Sequence, residues 1–157
     1  MLDSTFKNAK ILIVDDQEVN VIVLKDFLNL QGFTNILTTT DPFRVLSLFE
    51  SSDPDLILLD LIMPGLSGLD VLANLMQLIH KEEYLPVVIL TADTTPSAKQ
   101  RSLARGAKDF ITKPFDFVEV FFRINNLLET RYLYQQLELK KLILEEKVEL
   151  IKKIMNV

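Results

Sequence analysis

The sequence of 157 residues predicts an α/β domain: a doubly wound, five-stranded parallel sheet, followed by an extended C-terminal coiled-coil helix. Three observations predict it. Short continuous apolar runs bounded by turn residues read as strands buried on both faces. The runs alternate with stretches of helical spacing, which implies parallel pairing with right-handed crossovers. The last forty or so residues contain neither Pro nor Gly and cannot be one more covering helix of the usual length.

Lys10-Ile11-Leu12-Ile13-Val14 is the first strand, and it ends in Asp15-Asp16. Val19, Val23, Leu24, Phe27, Leu28 and Leu30 then recur at helical spacing up to Gly32, a helix stop. Thr34 to Thr38 is a short second strand. Asp41-Pro42 reads as an N-cap with Pro at the first helical position, and Phe43, Val45, Leu46, Leu48 and Phe49 continue that helix to Ser51-Ser52. The third strand, Leu56-Ile57-Leu58-Leu59-Asp60, runs four apolar residues straight into a carboxylate, with Pro64-Gly65 turning the chain soon after. A third helix spans Gly68 to His80, with Leu69, Leu72, Leu75, Met76 and Ile79 inward. Leu85 to Thr91 is the fourth strand, and Thr95-Pro96 opens a helix to Gly106. Ala107 to Thr112 is the fifth strand; Lys113-Pro114-Phe115-Asp116 follows, and Asp116 can cap the last helix.

Composition narrows the function classes. Hydrophobic content of 48% is ample for one core. A net charge of −5 argues against a nucleic-acid surface, which usually shows a basic patch. Without cysteine there are no disulfides and no thiolate metal sites. No apolar run approaches the roughly 20 residues of a membrane span. Met1 to Lys10 lacks the apolar centre of a signal peptide, so the expected location is cytoplasmic.

In the tail, Leu127, Tyr134, Lys141, Val148 and Met155 fall at heptad position a, and Thr130, Leu137, Leu144 and Ile151 at d. Leu at d with a single Lys at a favours a parallel homodimer in fixed register. Lys140 could reach Glu145 of a partner helix, whereas Lys147 and Lys152 would repel, so the flanking charges are mixed.

The candidate chemistry lies at strand ends. If strands one and three are neighbours, as in the flavodoxin-like order 2-1-3-4-5, then Asp15, Asp16 and Asp60 face one crevice at the topological switch point. Three carboxylates that close repel and raise one another's pKa unless a cation is present. Mg²⁺ suits them: it takes oxygen ligands from one or two carboxylates, waters and an incoming phosphate. Asp60 could then attack phosphorus as a carboxylate nucleophile. Thr91 offers a hydroxyl, Lys113 an ammonium, and the small Ala92 leaves room for a phosphoryl group. Each residue has a structural explanation on its own, as a cap, turn former or solvated loop residue. Their joint occurrence at strand ends, in order, is far more specific.

The set Asp15-Asp16, Asp60, Thr91 and Lys113-Pro114 resembles the receiver domain of two-component response regulators, as do Pro64-Gly65 with Gly68 and Gly106-Ala107-Lys108-Asp109-Phe110. The resemblance covers about residues 8 to 128 and divides the chain into a receiver domain, 1–128, and a coiled-coil linker, 129–157. It implies a signalling switch rather than a turnover enzyme. Asp60 is then the phosphoacceptor, charged by a sensor histidine kinase or phosphotransfer protein. Mg²⁺ is bound directly by Asp16, Asp60 and the Ile62 carbonyl, and through water by Asp15. Thr91, Ala92 and Lys113 receive the phosphoryl oxygens, Thr91 and Phe110 switch together, and the Lys113–Pro114 bond is cis. Ile62 and Asp93 stand where the family tunes phosphoryl lifetime. Leu127-Leu128-Glu129-Thr130-Arg131-Tyr132-Leu133 and Leu144-Glu145-Glu146-Lys147-Val148 resemble the linker before HD-GYP phosphodiesterase domains of cyclic di-GMP turnover, although neither HD nor GYP is present.

Other readings fit less well. A haloacid-dehalogenase-type hydrolase resembles Asp-x-Asp, but position 62 is Ile. A flavodoxin-type FMN carrier would want a Ser/Thr/Gly-rich loop where Asp15-Asp16-Gln17-Glu18 stands. A pseudo-receiver, a dimer scaffold that is never phosphorylated, is opposed by the intact set. His80, the single histidine, beside Lys81-Glu82-Glu83, reads as a surface residue.

Overall fold

The computed structural model describes residues 6–156; residues 1–5, part of the stretch read for a targeting signal, and Val157 lie outside them. Five strands and five helices alternate: β1 (Lys10–Val14), α1 (Glu18–Leu30), β2 (Asn35–Thr39), α2 (Val45–Ser52), β3 (Leu56–Asp60), α3 (Gly68–Leu78), β4 (Val87–Thr91), α4 (Pro96–Ala104), β5 (Asp109–Thr112) and α5 (Phe117–Met155). The strands form one parallel sheet in the order β2-β1-β3-β4-β5. β3 and β4 are buried along their whole length, as their unbroken apolar runs require in a sheet covered on both faces.

Two apolar layers sandwich the sheet. Leu12, Val14, Ile57, Leu59, Val87 and Ile89 point to the α2–α3 side, where Val71, Leu72 and Leu75 meet them. Ile11, Ile13, Leu56, Leu58, Val88 and Leu90 point to the opposite side, against Val21, Leu24 and Leu28 of α1 and Val120, Phe121, Ile124 and Leu128 of α5. Alternation along each strand sends successive side chains to the two layers.

Several local expectations shift. In α1 the inward face is Val21, Leu24 and Leu28; Val19 and Leu30 are 70% and 68% exposed. Val19, Val21, Ile22 and Val23 are all apolar, so their spacing marks no unique stripe. Asp41 does cap a helix, accepting from the Phe43 N–H at 2.9 Å, but it opens a 3₁₀ turn over Pro42–Arg44 that leads into α2. Phe43 is exposed there and lies against Gly65. The third helix stops at Leu78, short of His80. Ser67, Thr95 and Asp116 cap α3, α4 and α5 through their side chains.

α5 is one uninterrupted helix of 39 residues. Its first half packs on the sheet, and from Leu137 to Asn156 every residue is exposed. No helix among the described residues is long and apolar enough to cross a membrane.

Candidate functional site

β1 and β3 are adjacent, so the carboxylates that follow or end them converge. Ligand atoms of Asp15, Asp16 and Asp60 lie within 4.8 Å of one another. β4 and β5 bring Thr91 and Lys113 to the same end of the sheet. The cleft there, about 580 Å³, is lined by Asp16, Gln17, Asp60, Ile62, Met63, Pro64, Thr91, Ala92 and Lys113. Of the residues expected at the site, Asp15, Phe110 and Pro114 are absent from its lining, and Asp15 is fully buried.

Tight backbone geometry holds Asp60 in place. The Ile62 N–H donates to Asp60 Oδ1 at 3.4 Å, and the Gly68 N–H donates to the Leu61 carbonyl at 2.9 Å. A methyl at Gly68 would overlap the Asp60 carbonyl oxygen, so this close approach requires glycine.

The electrostatics follow from the geometry. Asp60 is pushed up to about 7 by burial first, then by its contact with Asp16 and by the Asp15 charge, with Lys113 opposing. Lys113 Nζ lies 2.7 Å from Asp15 Oδ2 and 3.2 Å from Asp60 Oδ1. Burial alone would pull the Lys113 ammonium down; hydrogen bonds and charge from Asp15 and Asp60 outweigh it and raise its pKa. Three carboxylates against one ammonium leave an excess of hard, anionic oxygen, the donor set suited to Mg²⁺ or a similar cation. The cluster could therefore hold a metal ion.

Thr91 is buried, and its Oγ1 accepts from the Asp93 N–H at 3.0 Å. Phe110 is 8% exposed, packed in the α2–α3 layer, with Lys99 Nζ 5.4 Å from its ring centre. The Lys113–Pro114 bond is cis.

The response regulator receiver domain family matches residues 11–125. The chain belongs to the response regulator receiver family. It is 36% identical over 126 residues to the transcriptional regulatory protein YvrH of Bacillus subtilis, covering 80% of this chain and 52% of that protein. It is 35% identical over 130 residues to the response regulator PleD of Caulobacter vibrioides, covering 83% of this chain and 28% of that one. Among solved structures, the chemotaxis protein CheY4 of Vibrio cholerae superposes with a TM-score of 0.70 at 27% identity, over 76% of this chain and 98% of that one. This chain thus spans about half or less of the curated relatives' length. Receiver domains are phosphorylated, depend on Mg²⁺ and interact with histidine kinases or phosphotransfer proteins, and the acidic cleft of this receiver has the matching residue types in place.

Two features of the receiver escaped the sequence. Asn20, in the first turn of α1, donates to Asp15 Oδ2 at 3.2 Å. Asp15 stands five residues earlier, before α1 begins, so helical spacing carries no signal for this contact. Arg131 is buried and binds Asp55 and the Tyr84 carbonyl; nothing local distinguishes it from a solvated helix residue.

Proposed function

We propose that this receiver takes a phosphoryl group onto Asp60 from a sensor histidine kinase or phosphotransfer protein. Lys113 carries the reading: one ammonium lies within ion-pair distance of both Asp15 and Asp60, in the cleft that Thr91 also lines. An Asp60 oxygen forms the new bond to phosphorus, and the donor's leaving atom departs with its electron pair. Mg²⁺ held by Asp16, Asp60 and the Ile62 carbonyl, with Asp15 beyond a water, would supply charge neutralisation between nucleophile and phosphoryl group. Thr91, Ala92 and Lys113 then receive the phosphoryl group. Movement of Thr91 changes the packing at Phe110 and so the face of α4, β5 and α5, a bistable element biased by a local charge.

Residues 1–128 act as the switch, and 129–157 carry its state to a second copy through a parallel coiled coil. The exposed apolar seam Leu137, Leu144, Val148, Ile151 and Met155 supports that pairing. The length of the relatives supports an output segment beyond this chain; the linker resemblance is compatible with a cyclic di-GMP phosphodiesterase there.

Intact mass after incubation with acetyl phosphate tests the reading. A gain of one phosphoryl group that needs Mg²⁺ and disappears in Asp60→Asn is the expected result. No gain in wild-type protein would favour a dimer scaffold, and labelling of Asp60→Asn would move the nucleophile elsewhere.

A further inference from the structure

Asp15 is fully buried, and three protein groups donate to its oxygens. Oδ1 accepts from the Gln17 N–H at 2.9 Å. Oδ2 accepts from Lys113 Nζ at 2.7 Å and from Asn20 Nδ2 at 3.2 Å. The same Asn20 nitrogen is 3.3 Å from Gln17 Oε1, which it also reaches as a donor. Lys113 is therefore shared, and it lies nearer to Asp15 than to Asp60, at 3.2 Å.

That sharing matters once a phosphoryl group arrives. The ammonium must turn toward the oxygens on Asp60, and Asp15 then gives up its charge-assisted partner. A buried carboxylate that loses a charged donor pays more than the net worth of the bond unless another donor stays in place. Asn20 limits that penalty: its neutral amide stays on Oδ2 while Lys113 moves. We infer that Asn20 is a positioning residue, holding Asp15 so that Lys113 is released toward the phosphoryl group on Asp60. This rests on the receiver reading above. In the transfer from acetyl phosphate, an Asp60 oxygen bonds to phosphorus, the bond from phosphorus to the acetate oxygen breaks, and acetate leaves with the electron pair. Asn20 neither gives nor takes a proton.

The full chain, Asn20→Ala and Asn20→Asp are compared in two measurements. The first is the rate of acetyl phosphate labelling at saturating Mg²⁺, by intact mass. The second is Mg²⁺ affinity alone, by calorimetric titration with no phosphodonor. Asn20→Ala should label about ten-fold slower, the loss of one hydrogen bond to a charged group. Its Mg²⁺ affinity should be unchanged or tighter, since Asp15 keeps its charge and loses a donor. Asn20→Asp, which keeps the shape and removes the donor, should be slower still. Labelling of Asn20→Ala at the wild-type rate overturns the inference. So does restoration of the rate by Asn20→Asp, which would make shape sufficient. A fall in Mg²⁺ affinity that parallels the rate also overturns it, because the site would merely be displaced. If wild-type protein itself does not label, the phosphoacceptor reading of Asp60 fails and takes this inference with it.

Discussion

At the residue scale, ionising Asp60 is costly. Its carboxyl is raised from 3.8 to about 7, chiefly by burial and then by Asp16 and Asp15. Between those values the folded protein holds a proton that the unfolded chain has released. Stability of the metal-free protein therefore falls as pH rises through that window, and the loss is complete above about 7. Asp60→Asn lacks this titration. Melting temperatures from pH 5 to 8 in chelator should fall for wild-type protein relative to the variant, and added Mg²⁺ should narrow the gap; parallel curves would show that Asp60 is not perturbed. Asp15, Asp16, Asp60, Thr91 and Lys113 were legible in the sequence because each sits at the end of an apolar run, and a parallel sheet gathers those ends. Asn20 was not legible, since its partner is chosen by how α1 docks.

At the element scale, α5 serves two environments. Leu127, read from the sequence as a heptad a position, packs beside Leu128 into the layer below the sheet. Tyr134, also assigned to the seam, stacks on Tyr84 with ring centres 4.9 Å apart. Arg131 is 6% exposed; it donates to Asp55 Oδ1 at 3.0 Å and to the Tyr84 carbonyl at 2.8 Å. It ties the helix to the segments leading into β3 and β4, at the end of the sheet opposite the cleft. Asp55 is itself partly exposed, so screening weakens the pair. Arg131→Ala should destabilise by about 1–2 kcal/mol, mostly through the unmet Tyr84 carbonyl and lost packing. Urea unfolding measures this, and an unchanged midpoint would mean that the anchor contributes nothing. The sequence could not separate the two environments, because a helix that changes partners keeps the same apolar period.

At the scale of the whole molecule, the unpartnered seam runs from Leu137 to Met155, about two and a half heptads. That is shorter than the four the sequence pattern offers, so the parallel dimer should be weak and dependent on concentration. A chain ending at Glu138 keeps Arg131, Tyr134 and the full sheet. It should melt like the longer chain yet sediment as a monomer at concentrations where the longer chain associates. Equal association of the two would remove the coiled coil from the proposal and direct attention to the receiver surface. A cut at Arg131 would confuse the result by also removing the anchor.

The order and type of the elements, and the five polar side chains of the cleft, were decided locally. Runs such as Leu56 to Leu59 fit a two-sided core, and the polar residue that ends such a run comes to the carboxyl end of the sheet. Docking decided the rest. Which side of α1 is inward, which donors Asp15 accepts, and where α5 leaves the domain all depend on residues far apart in sequence: Lys113 on Asp15, Arg131 on Asp55. Periodicity records that a residue is apolar or charged, and only the packed fold selects its partner.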